Sequence, residues 1–132
     1  MNFTTIFNWV LRLVAAFIML QTLFFKFSAS EESVYIFSTL GTEPWGRIAT
    51  GVMELIASVL LLYPRTTVFG ALLGVGIMGG AIASHLTILN IEVKGDGGLL
   101  FVYAVIVMVS CLLLLYFNRT KIRELISNRV TK

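Results

Sequence analysis

The chain has 132 residues, 58% of them hydrophobic and 13% charged, with a formal net charge of +3 and a mean hydropathy of +0.92. A soluble domain carries roughly 25% charged residues, and a small one buries only about 60–70% of the surface its unfolded chain exposes, so this composition excludes an ordinary water-soluble domain and makes lipid the matching solvent. The one cysteine, Cys111, excludes an internal disulfide and any Cys-x-x-Cys redox or zinc motif.

A membrane span needs about 20 predominantly apolar residues, and four stretches qualify: 6–25, 46–63, 68–89 and 99–117. The expected fold class is therefore an all-α membrane protein, a four-transmembrane-helix bundle forming one integral membrane domain over 1–132. The first stretch has neither a basic leader nor a small-residue cleavage site and is interrupted by Arg12, which predicts a retained helix rather than a removed signal. After it, Ser28-Ala-Ser-Glu31 has the spacing of a capping box and Gly41 that of a helix stop. With the apolar Val34–Phe37 between them, these predict a short interfacial helix between helices one and two. The second stretch is apolar from Ile48 to Tyr63 and reaches spanning length if it starts near Trp45, which leaves Trp45 and Tyr63 at opposite interfaces. A tight turn at Pro64-Arg65 leads into the third stretch, where Gly70, Gly74, Gly76, Gly79, Gly80 and Ser84 set small residues four apart. Such spacing lets helix backbones approach closely in lipid; a passage for a substrate is the competing reading. The polar segment Asn90–Gly98 precedes the fourth stretch, with Asp96 placed to cap it.

Lysine and arginine are dense in the tail (Arg119, Lys121, Arg123, Arg129 and Lys132) and present at Arg65, whereas the other two connections mix Lys26, Arg47 and Lys94 with Glu31, Glu32, Glu43, Glu92 and Asp96. The positive-inside rule then predicts a multi-pass protein with N- and C-termini both cytoplasmic; a bacterial-type inner (plasma) membrane is the expected location. Membrane orientation explains the basic tail, 118–132, better than nucleic acid does, because no basic–aromatic surface accompanies it. Within the tail, Lys121–Val130 has the pattern of a basic amphipathic helix resting on anionic lipid, partner docking being the alternative.

An ionisable side chain near the bilayer centre costs several kcal/mol, from about 2.5 upward, and so faces the bundle interior beside a partner. Arg12 and Lys26 lie about four helical turns apart on one face of the first helix. Arg47, Gly51, Glu54 and Ser58 form a stripe on the second, and Gly74, Met78, Ala81 and His85 another on the third. Counting about 1.5 Å per residue from the ends of helices one and two brings Arg12 within reach of Glu54 and predicts an Arg12–Glu54 ion pair near mid-membrane. That pair either locks two helices in register or serves a functional carboxylate. His85 is either a hydrogen-bonded interfacial histidine or a ligand. Lys26, Glu43, Arg47 and Asp96 cluster by topology at the outer mouth. The candidate catalytic residues are thus Glu54 and His85, and the candidate ligand-binding residues Arg12, Lys26, Glu43, Arg47 and Asp96. One histidine cannot supply bis-histidine haem ligation, and no His/Cys/carboxylate cluster has metal spacing, so no metal is expected. There is no phosphate loop and no nucleophile elbow.

Arg12, Phe25-Lys26-Phe27, Gly46-Arg47 through Gly51-Val-Met-Glu54-Leu55, Ala81-Ile-Ala-Ser-His85-Leu86 and Asp96-Gly97-Gly98 together resemble the DoxX-like family of small four-helix membrane proteins, over nearly the whole chain. The resemblance implies that Arg12, Lys26, Glu54, His85 and Asp96 form a polar core. It also implies a link to oxidoreductase systems, since the family includes a membrane subunit related to thiosulfate:quinone oxidoreduction, quinone- or stress-linked proteins and membrane assembly factors. The expected function is a redox-associated subunit with an outward-facing polar pocket for a quinone-like or other small lipophilic molecule. Glu54 would exchange a proton, His85 would hydrogen-bond a carbonyl oxygen and Arg12 would keep the glutamate ionised. A quinone is the candidate cofactor; a redox-enzyme partner subunit and a homo-oligomer are both compatible. The alternative is a non-catalytic assembly or scaffold protein whose buried Arg–Glu pair is structural. A transporter comes third, because four helices without an internal repeat fall short of the inverted-repeat design.

Overall fold

A computed structural model describes residues 3–92, 95 and 97–131; the expectations for Asp96 lie outside the described residues. The chain folds as α1 (Phe3–Phe27), α2 (Glu31–Thr39), α3 (Trp45–Leu62), α4 (Thr67–Ser84), α5 (Leu99–Phe117) and α6 (Arg119–Thr131). A 3₁₀ turn, Pro64–Thr66, leads into α4, and a π-helical turn, His85–Leu89, prolongs it. The stretches Phe3–Phe27, Trp45–Leu62, Pro64–Leu89 and Leu99–Phe117 are long and apolar enough to cross a membrane. The expected all-α bundle is borne out, and the chain is an integral membrane protein.

The spans close into a ring, α1 and α4 each packing against both α3 and α5. Inside it, Leu11, Ala15 and Met19 of α1 meet Ala57 and Leu61 of α3, Ala71 and Met78 of α4, and Val107, Cys111 and Leu114 of α5. Large apolar side chains also point outward, among them Phe17, Val59, Leu72 and Leu112. In water such a surface would drive aggregation; against acyl chains it is simply solvated. The predicted stripe of α3 is buried in full, Arg47, Gly51, Glu54 and Ser58 all lying inward.

The connection after α1 differs from its expected form. Ser28 does not open a capping box, because α1 runs on to Phe27 and its end uses the following residues. Ala29 turns left-handed (φ 55°), while the amide of Ser30 donates to the Phe25 carbonyl at 3.0 Å and that of Ala29 to the Lys26 carbonyl at 3.3 Å, the pattern of a Schellman stop. The cap of α2 is Ser30, whose hydroxyl oxygen accepts from the Ser33 amide at 3.2 Å. The helix turns Ser33 and Phe37 inward and touches α1, α3 and the π turn, so it lies across one end of the ring. The basic tail is helical too, as α6.

The glycines of α4 divide into two groups. A Cβ on Gly70 would stand 2.6 Å from the backbone nitrogen of Leu61 and 3.0 Å from the Ala57 carbonyl oxygen. One on Gly74 would stand 2.6 Å from Cys111 Sγ. These two are contact glycines, as the small-residue spacing implied. Gly76 and Gly80 would meet nothing within 4 Å: past Gly74, α4 leaves open space beside it.

Candidate functional site

Glu54 lies on the inward stripe of α3 and is only 1% exposed. Its partners both come from α1. Lys26 Nζ stands 2.7 Å from Oε1, and the Thr22 hydroxyl donates to Oε2 at 2.6 Å. Both carboxylate oxygens are thus engaged, Oε1 by the lysine and Oε2 by the threonine, and Oε1 itself is fully enclosed.

The Arg12–Glu54 pair predicted from depth is not formed. Arg12, 5% exposed, donates through Nε to the Leu61 carbonyl at 2.6 Å and through Nη2 to the Leu62 carbonyl at 2.8 Å, with its guanidinium 3.6 Å from the Trp9 ring centroid. The reason is register. With 25 residues against 18, α1 is longer than α3, and its first turns project past the end of α3. There Asn8 accepts from Asn118 at 3.0 Å and the Phe7 ring meets Phe117 edge-on. Arg12 is therefore level with the last carbonyls of α3, which have no intrahelical partner and carry the negative end of the helix dipole. Arg47 does the same service at the other end: Nη1 donates to the Lys26 carbonyl, in the last turn of α1, while Nε lies 2.9 Å from Glu43 Oε1. Each arginine thus caps the C-terminus of the antiparallel neighbour. Arg12→Gln should lower the stability of the bundle by about 2 kcal/mol, the scale of a charged hydrogen bond. Thermal unfolding in detergent measures this.

That far end, remote from the chain termini, holds a cavity of about 370 Å³. Ile18, Thr22 and Lys26 of α1, Thr50, Met53 and Glu54 of α3, Gly76, Gly80 and Ser84 of α4, His85 of the π turn and Tyr103 of α5 all line it, and Ser33 and Phe37 of α2 close it off. Met53, Gly76 and Gly80 are exposed as well as lining, so the cavity opens sideways between α3 and α4. His85 is buried; its Nδ1 lies 3.0 Å from the carbonyl oxygen of Asn90, and its ring meets Phe101 edge-on at 5.7 Å.

Of the residues singled out in the sequence, Lys26, Glu54 and His85 share this cavity, and Glu43 and Arg47 stand behind it, on the end of α1. Arg12 belongs to the opposite end. Among the described residues, no three His, Cys, Asp or Glu side chains gather as a metal site. Sequence reasoning missed Thr22, although it falls on the Arg12–Lys26 face. It also missed Tyr103 and the π turn, which no residue pattern announced.

The DoxX-like family pattern matches residues 10–112, from α1 into α5, which takes in the whole cavity and leaves out α6. No match was found among curated proteins or among solved structures.

Proposed function

The chain belongs to the DoxX-like family, and on that premise we propose that its cavity binds a small lipophilic molecule with an oxygen-bearing, quinone-like head, as part of a membrane redox system. The observation that carries this reading is the buried Lys26–Glu54 ion pair, joined by the Thr22 hydroxyl, at the floor of a largely apolar chamber. Binding pockets for small molecules combine apolar walls with a few placed polar groups. The volume of about 370 Å³ lies within the usual range, about 300–1,000 Å³. A side opening between α3 and α4 suits a guest that arrives through the bilayer rather than from water. In this reading Glu54 and His85 are the groups nearest the head, and Lys26 orients the carboxylate. Glu43 and Arg47 hold the end of α1 that carries Lys26, and the cavity lies in the outer half of the bundle, with both termini cytoplasmic in an inner membrane.

The test is binding of a short-tailed benzoquinone and of its hydroquinone to the purified protein, by native mass spectrometry and calorimetry. Glu54→Gln, which removes the ion pair at the cavity floor, should weaken binding of the hydroquinone about tenfold or more, the scale of one charged contact. No binding by the wild type, or equal binding by the variant, overturns the reading. One observation favours a scaffold role instead: both partners of Glu54 come from α1, so the pair also clamps α1 to α3. In that case Glu54→Gln lowers the folded yield and no quinone binds.

A further inference from the structure

We infer that the guest meets His85 with a hydrogen-bond donor, a hydroxyl of phenol or hydroquinone type, rather than with a carbonyl oxygen. The inference rests on the cavity-binding reading above and specifies the chemical form that the cavity selects. It starts from the backbone. A carbonyl oxygen can only accept, so the 3.0 Å contact between His85 Nδ1 and the Asn90 carbonyl puts the proton on Nδ1. In the neutral ring Nε2 is then a bare acceptor.

The local fold is built to make that contact. The π turn His85–Leu89 adds a residue to the helical turn, and π turns recur at functional sites. Asn90 follows in a left-handed conformation, φ 70°, and brings its carbonyl back to a ring five residues earlier. Phe101 holds the ring edge-on from α5. The ring is 5% exposed, lines the cavity and has no protein partner at Nε2 among the described residues.

The other polar pole agrees. Glu54 Oε2 already takes the Thr22 hydroxyl and Oε1 the Lys26 ammonium, so the carboxylate holds both nearby donors. Lys26, the cation of the lining, is engaged in the ion pair. The donors beside Glu54 are thus already taken, and His85 on the end of α4, which lines the same cavity, meets the guest through Nε2. A carbonyl guest would set its own lone pairs against Nε2, whereas a hydroxyl satisfies it. The sequence-based expectation that His85 donates to a carbonyl is reversed.

His85 is the single histidine of the chain, so ¹⁵N-histidine labelling yields one imidazole, assigned without further work. The expected spectrum has a protonated Nδ1 and an unprotonated Nε2, and the Nε2 resonance moves when a short-tailed hydroquinone is added. A protonated Nε2, in a neutral or a doubly protonated ring, overturns the inference even where quinones bind. In calorimetry under anaerobic conditions, the hydroquinone should bind the wild type about tenfold or more tightly than the matching quinone or the dimethyl ether, the scale of leaving a buried polar group unpaired. In His85→Phe that preference should fall to near unity. Equal or tighter quinone binding by the wild type sinks the donor assignment and leaves the binding reading standing. If neither form binds, both fall.

Discussion

Lys26→Met alone should destabilise the protein by about 3–5 kcal/mol, and Lys26→Met combined with Glu54→Leu should recover most of that loss. The asymmetry follows from burial. Glu54 is almost wholly enclosed, and its cationic partner is Lys26. Taking the lysine away strands a buried carboxylate, and a stranded buried charge costs far more than the intact pair contributes. Removing both partners leaves an apolar junction between α1 and α3. Thr22 is not orphaned in the double variant, because its hydroxyl also donates to the Met19 carbonyl at 3.0 Å. Nor does Arg47 lose its contact with α1, which is to the backbone of Lys26. Thermal unfolding of the single and double variants in one detergent gives the coupling energy directly. A single variant as stable as wild type would show that the pair does not hold α1 to α3. A double variant that folds normally yet no longer binds a quinone would assign the pair to the guest rather than to the bundle.

The spans could be read from hydropathy alone, and their buried faces from helical spacing: the Arg47–Gly51–Glu54–Ser58 stripe needed no more than a period of 3.6. What could not be read was how far one helix slides along another. Arg12 and Lys26 share a face, and Glu54 could have paired with either of them. The choice depended on the first turns of α1 projecting past α3, a matter of packing against Phe117 and Asn118 that hydropathy does not encode. Counting from the apolar edges put Arg12 too deep. The π turn was hidden for a related reason: His85–Leu89 has an ordinary apolar sequence, and its extra residue shows only in the hydrogen bonds. The cavity is harder still, since a void is a property of several helices at once. Its one trace in the sequence was the glycine run of α4, in which contact glycines and lining glycines follow the same four-residue spacing and cannot be told apart by pattern.

That run supplies the second large effect, because leucine should act in opposite ways at two of its positions. Gly70→Leu is expected to cost about 3 kcal/mol or to prevent folding, as overpacking does in a tight core. The obstruction at Gly70 is the backbone of α3 at Ala57, Leu60 and Leu61, which cannot swing aside as a side chain would. The two helices must separate, and the contact glycine that anchors the α3–α4 hairpin is lost. Gly80→Leu puts the same side chain where a Cβ meets nothing within 4 Å. In α4 it should gain a few tenths of a kcal/mol from helix propensity, with thermal stability unchanged or raised. Its isobutyl group would project into the chamber that Glu54 and His85 share, so quinone or hydroquinone binding should fall about tenfold or more through lost volume. The pair of measurements, unfolding temperature and binding affinity, separates the two roles on one helix face. If Gly80→Leu unfolds the bundle, that face is a packing surface throughout; if it folds and binds as wild type does, the guest lies elsewhere. Stability lost at Gly70 with binding lost at Gly80 is the outcome required of a helix that packs at one end and lines a cavity at the other.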